Sequence, residues 1–142
     1  MGGDHPPLSA LGTSVARQVE VMAASGAELI MLEMMVDIDK MLVTLEAALT
    51  AGLPVWVGVS CRPNDNGVMC LYNGDTLADT IAALKPYSVP LLNIMHTSVP
   101  YVSACLDVVE QHWDGLVGIY PDTGNYESDH MLFDTTMSPV SG

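Results

Sequence analysis

Positive charge is scarce in this chain. Lys and Arg together number 4 against 17 Asp and Glu, a formal net charge of -13. A surface this acidic repels phosphate backbones and anionic lipid heads, which sets nucleic acid and membranes aside as partners. Cysteine is scarce too, with only Cys61, Cys70 and Cys105. An odd, widely spaced set with no secretion signal argues against a disulfide framework and for a reducing cytoplasm. None of the three belongs to a C-x-x-C pair, so spacing alone gives no zinc signature. No apolar run reaches the length of a membrane-spanning helix. The opening Met1-Gly-Gly-Asp-His-Pro-Pro7 has no basic region followed by an apolar stretch, so no signal peptide is visible. No Gly-rich phosphate loop follows any expected strand. That removes the main evidence for a dinucleotide fold and leaves a flavodoxin-like one open.

What is present is an apolar, patterned chain. Of 142 residues, 49% are apolar and 15% charged, which suits a buried parallel sheet better than disorder. Four short apolar runs stand out: Leu29-Ile-Met-Leu-Glu33, Val55-Trp-Val-Gly-Val-Ser60, Leu91-Leu-Asn-Ile-Met95 and Leu116-Val-Gly-Ile-Tyr120. They are continuous rather than alternating, as in strands covered on both faces. The spacing predicts strands centred near Ile30, Val57, Ile94 and Gly118. Helical patterns separate them. Thr13 to Ser25 carries Val15, Val19, Met22 and Ala23 on one face, and Gly26 stops it. Asp37 can cap a second helix with Ile38, Met41, Leu42, Leu45 and Leu49 as its stripe. Thr76 with Asp79 resembles a capping box ahead of Leu77, Ile81 and Leu84. Ser98 and Pro100 start a fourth helix with Val102, Leu106 and Val109 inside.

Alternation of this kind implies an α/β fold with parallel strands and right-handed crossovers. An open doubly wound sheet fits, and so does an arc of a (β/α)8 TIM-type barrel. A complete barrel needs about 200 residues or more, so four strands make about half of one. Both ends read as cut, the last at Asp134-Thr-Thr-Met-Ser-Pro-Val-Ser-Gly142 with no final helix. Residues 1–142 thus read as a single partial barrel domain.

Barrel chemistry gathers at the C-terminal ends of the strands. Those ends offer Glu33, Ser60-Cys61-Arg62, Met95-His96-Thr97 and Tyr120-Pro-Asp-Thr-Gly124. Glu33 can bind an ammonium group or act as a base; otherwise it caps the next helix or meets solvent. Cys61 is a possible ligand or nucleophile, though cysteine is often a small apolar filler. Cys105 reads as core, and Cys70 falls in a stretch, Asn64 to Gly74, that reads as a flexible loop. His96 can bind metal or shuttle protons, whereas a lone histidine is more often structural. His5, His112 and His130 have no local partner pattern. Lys40 and Lys85 fall in helices, which disfavours a Schiff-base aldolase.

Five blocks together resemble the homocysteine S-methyltransferases. Gly26-Ala-Glu-Leu-Ile-Met-Leu-Glu-Met34 is similar to the family's "G-A-D-L-I-x-L-E-T" strand, and Leu53-Pro-Val-Trp-Val-Gly-Val-Ser-Cys61 to the strand after it. Gly74-Asp-Thr-Leu-Ala-Asp-Thr-Ile81 matches its "D-G-x-x-L-x-x-A" helix opening. Asn93-Ile-Met-His-Thr-Ser-Val-Pro-Tyr-Val102 falls where the family has "V-N-C-T-x-P-x-x-V". Ile119-Tyr-Pro-Asp-Thr-Gly-Asn-Tyr126 resembles "Y-P-N-S-G-E-x-Y". The blocks keep family order.

The resemblance implies zinc-assisted methylation of the homocysteine thiol, giving methionine, from a sulfonium, quaternary ammonium or folate donor. It implies that Glu33 holds the substrate's ammonium group, and that Asp122 and Thr123 replace the Asn-Ser of the substrate-binding turn. The family binds zinc through three cysteines. His96 stands at the first, and zinc accepts histidine. The "G-G-C-C-G" pair has no counterpart before Gly142. On this reading the isolated chain is inactive, and His96 faces the barrel mouth with Glu33 and Asp122. Unpaired strand edges would drive self-association. A non-catalytic barrel fragment and a different barrel enzyme, such as a lyase, are the competing readings.

Overall fold

The computed structural model describes residues 7–123. Four helices and six strands follow one another: α1 (Leu8–Ala24), β1 (Ile30–Met35), α2 (Ile38–Leu49), β2 (Val55–Val59), β3 (Cys61–Pro63), β4 (Met69–Leu71), α3 (Leu77–Leu84), β5 (Leu91–Ser98), α4 (Val99–His112) and β6 (Leu116–Asp122). The tail from 134, the end of the Tyr120 turn past Thr123, and His5 and His130 lie outside the described residues.

The helix signals act where side chains meet freed backbone groups. Asp37 Oδ1 accepts from Lys40 N at 2.9 Å, and Thr76 Oγ1 from Asp79 N at 3.0 Å. Each satisfies an orphan N–H of a first turn. Ser98 holds the N-cap position of α4, with Pro100 in the first turn, yet its side chain makes no capping bond. α1 begins at Leu8 behind Pro7, earlier than the expected Thr13. Gly26, with φ of +95°, takes the left-handed turn that stops it.

β1, β2, β5 and β6 form one parallel sheet in the order β1-β2-β5-β6, at the four expected places. Side chains alternate between its faces. Ile30, Leu32, Val55, Val57, Val59, Leu92 and Ile94 face the helices and meet Met41, Leu45, Leu77, Ile81, Leu84, Cys105 and Val109 in one core. The opposite face, which would line a barrel, carries Met31, Glu33, Trp56, Gly58, Asn93, Met95, Gly118 and Tyr120 by register.

One expectation is corrected. The stretch read as a flexible loop is an antiparallel hairpin, β3 pairing β4 through Cys61↔Leu71, Arg62↔Cys70 and Pro63↔Met69. Its turn is tied by Asn64, whose Oδ1 accepts from Asn66 N and Val68 N, and Gly67 takes φ of +77°. Cys70 is therefore buried, not part of a mobile segment. The hairpin sits inside the β2-to-α3 connection, so the four main strands stay parallel.

Candidate functional site

At the C-terminal end of the sheet, two strands carry the same irregularity. The β1–β2 register shifts between Leu32 and Met35, and the β5–β6 register between Met95 and Ser98. Each break holds a non-glycine residue in the left-handed region, Met34 with φ of +56° and His96 with φ of +46°. Such conformations cost about 1–3 kcal/mol each and cluster at functional sites. Met34 N–H points at Met95 Sδ, 3.2 Å away, which ties the two breaks together.

The break in β5 aims His96 at β6. Its Nδ1 lies 3.9 Å from Asp122 Oδ2, an ion-pair distance for a protonated imidazole and too long for a hydrogen bond. Both side chains are about a third exposed, at 30% and 29%. Tyr120 meets the imidazole edge to face, with centroids 5.6 Å apart at 86°. The ring thus lies against β6. Thr97 next to it is buried and pins the strand end: its Oγ1 accepts from Cys61 N at 3.1 Å and donates to Met95 O. Ser60 Oγ and Asn93 Oδ1 are buried near this end with no hydrogen-bond partner among the described residues. Unsatisfied buried groups are rare in folded chains.

Glu33 shares this end of the sheet from β1, two strands away. It is exposed and has no hydrogen bond or ion pair to a described residue. Thr123 is exposed just past β6. The fold therefore joins His96 to Asp122, and keeps Glu33 and Thr123 near but separate.

The cysteines do other work. Cys61 and Cys105 are free and buried, and their thiols meet across the β3–α4 packing. A hydrogen bond to Cys105 and burial push the Cys61 thiol far up. Packed in the core at 1% and 0% exposure, the two cysteines act as small apolar fillers. Both are core, as is Cys70.

Sequence reading missed a cavity of about 640 Å³ between the hairpin and the start of α4. Its walls include Arg62, Asp65, Tyr72, Asn73, Ser98 and Tyr101. Ser98, in the cavity wall, is the register partner of Asp122 in the sheet. Burial pushes the Tyr72 hydroxyl up, Arg62 pulls it down, and Cys61 and Asp122 push it up. These groups share one electrostatic neighbourhood. The Asn-Asp-Asn-Gly turn between two short apolar segments was the signal for the hairpin that forms this wall.

A metal can be tested against this donor set. His96 and Asp122 supply two donors, whereas zinc takes three or four protein ligands. No group of three or more His, Cys, Asp or Glu able to hold a metal occurs among the described residues. The described residues do not by themselves fit the zinc centre that the sequence resemblance implied.

Four parallel strands alternating with helices, with polar groups at the C-terminal ends of the strands, are consistent with an arc of a (β/α)8 barrel. The chain belongs to the homocysteine S-methyltransferase family, whose profile matches residues 3–140. Among solved structures it is similar to the apo form of the homocysteine methyltransferase MmuM from Escherichia coli, at 24% identity and a TM-score of 0.73. That match covers 87% of this chain and 47% of the other, so the chain spans about half the length of this relative. No curated protein matches it significantly. No helix among the described residues is long and apolar enough to cross a membrane.

Proposed function

We propose that this chain supplies the homocysteine-binding strand ends of an S-methyltransferase, in which a thiol accepts a methyl group and becomes methionine. The observation that carries the reading is the His96–Asp122 pair at the mouth of a sheet whose sequence matches the family from residue 3 to 140. Glu33 is positioned at the same end to receive an ammonium group. Asp122 and Thr123 border the substrate from β6. His96 faces Asp122 across β5 and β6, so both side chains stand together at the strand ends beside the substrate in this reading. The family's zinc needs ligands that the described residues do not supply, and His96 is this chain's contribution to it. Three free cysteines support a reducing, cytoplasmic setting. A second copy of the chain is the proposed macromolecular partner, because β6 leaves apolar side chains exposed and unpaired edges attract strands.

Taken alone, the chain is expected not to form methionine. Incubation with homocysteine and each donor type, sulfonium, quaternary ammonium and folate, checks this, and methionine above background overturns it. The binding half of the reading is checked by nuclear magnetic resonance of the imidazoles. Homocysteine should shift the His96 ring signals and leave those of His112 unmoved. Glu33→Gln should weaken that binding roughly tenfold, the scale of one charge-assisted hydrogen bond. Unmoved His96 signals at saturating ligand defeat the assignment.

A further inference from the structure

Arg62 is one of four basic residues in a chain with 17 acidic ones, and it stands in the wall of a cavity. The volume of about 640 Å³ lies within the usual range for small-molecule sites. The guanidinium does not hang free. Its carbon lies 5.1 Å from the centre of the Tyr72 ring, and Nη2 donates to Tyr72 O at 3.1 Å. One stacking contact and one hydrogen bond fix the plane of the group. That is the only hydrogen bond Arg62 makes among the described residues, so most of its five N–H donors remain to be used.

We infer that Arg62 binds the α-carboxylate of the amino-acid substrate in the cavity between the β3–β4 hairpin and α4. This deepens the proposed function and rests on it for the identity of the amino acid. A planar, pre-oriented guanidinium matches a carboxylate with two parallel hydrogen bonds, which a lysine cannot reproduce. Asp65 also lines the cavity, and the chain's net charge is -13. Both penalise a phosphate dianion more than a carboxylate that an ammonium group accompanies. Placement agrees as well. Cys61, the residue before Arg62, is hydrogen-bonded through its N–H to Thr97, the residue after His96. Ser98 forms another wall and is the partner of Asp122 in the sheet. The cavity therefore adjoins the strand ends that carry His96 and Asp122.

Calorimetric titration of the 142-residue chain tests this with four probes: homocysteine, its decarboxylated analogue 3-aminopropane-1-thiol, butanoate and inorganic phosphate. Arg62→Gln should weaken homocysteine binding about 10- to 100-fold, the range for hydrogen bonds between charged groups. It should leave the decarboxylated analogue unchanged. Arg62→Lys should recover part of the loss, since charge survives but the fork does not. Equal loss for homocysteine and the analogue marks a hairpin defect and overturns the inference, as does unchanged homocysteine affinity in Arg62→Gln. Phosphate binding more tightly than butanoate through Arg62 overturns the carboxylate assignment. If butanoate binds in an Arg62-dependent way and homocysteine gains nothing over it, the carboxylate site stands and the methyltransferase substrate falls. Failure of every probe to bind the parent chain overturns both.

Discussion

β5 and β6 are hydrogen-bonded neighbours of similar composition, and they live in different surroundings. Leu92, Ile94 and Met95 of β5 are almost fully buried, whereas Leu116 of β6 is 68% exposed, Ile119 49% and Tyr120 61%. Leu91-Leu-Asn-Ile-Met95 and Leu116-Val-Gly-Ile-Tyr120 are equally apolar as sequence. The difference comes from neighbours. β5 lies between β2 and β6 and has α4 and β3 packed against it, while β6 pairs with a described strand on one edge only. Apolar character makes a strand suited to burial, and the surrounding elements decide whether burial occurs.

The largest test of that contrast compares two isoleucines that sit opposite each other, Ile94 and Ile119. Ile94→Ala should cost about 2–5 kcal/mol, the range for emptying a packed core site, and Ile119→Ala less than about 1 kcal/mol. Urea unfolding of both variants decides it, and equal costs would erase the distinction between the strands. Next come the two glycines beside β5. A Cβ at Gly58 would meet the Met95 methyl, lie 2.7 Å from Met95 Sδ and sit 3.0 Å from Leu32 O. Gly58→Ala should therefore destabilise by about 1–3 kcal/mol through overpacking. Gly118→Ala would meet Asn93 Oδ1 at 2.8 Å, the end of a side chain next to an exposed strand, and should cost less.

A smaller effect probes the anchors on the covered side. Asp75 Oδ2 accepts from Ile38 N at 2.9 Å and from Asn73 Nδ2 at 2.7 Å, tying the end of the hairpin to the start of α2. Those bonds hold its carboxyl below the usual range, with the Ile38 N–H first. Because the folded value is lowered, the stabilisation is complete above the ordinary carboxylate value, about 4, and disappears as pH falls through the folded value. Asp75→Ala should cost about 1 kcal/mol at pH 7 and progressively less below pH 4, read from unfolding midpoints across pH. A constant difference down to the lowest pH would disprove the linkage.

The smallest effect on stability falls on β6 and shows in assembly. Ile119→Lys should barely move the unfolding midpoint, yet it should reduce self-association in light scattering. With a net charge of -13, the parent chain should associate more as salt is raised over the range that screens surface charge. A parent chain that stays a compact monomer at high concentration and salt removes the second copy as a partner.

The four main strands were legible because each is a continuous apolar run bounded by turn residues and caps. Asp37 and Thr76 were legible for the same local reason: a side-chain oxygen three residues before a free N–H. The hairpin was not, because two three-residue strands carry too little periodicity to outweigh a turn rich in Asn, Asp and Gly. Within the site, the apolar runs put His96 and Asp122 at strand ends, and the resemblance gave them roles. It could not show that they meet. That depends on the register slip at Met95 and on His96 taking a left-handed backbone that no glycine announces. The cavity beside Arg62 was hidden for the same reason as the hairpin that walls it.

Met95 carries a further consequence. Its sulfur fills the space above Gly58 and receives the Met34 N–H, and the side chain is only 1% exposed. Met22 and Met34, each 46% exposed, should take oxygen from peroxide well before it does. A sulfoxide at Met95 would need room that the β2 backbone does not leave and would turn an apolar filler into a polar one. Oxidative ageing of this chain should therefore begin harmlessly at its surface. Its conformation should fail only when the damage reaches the one thioether that joins three strands.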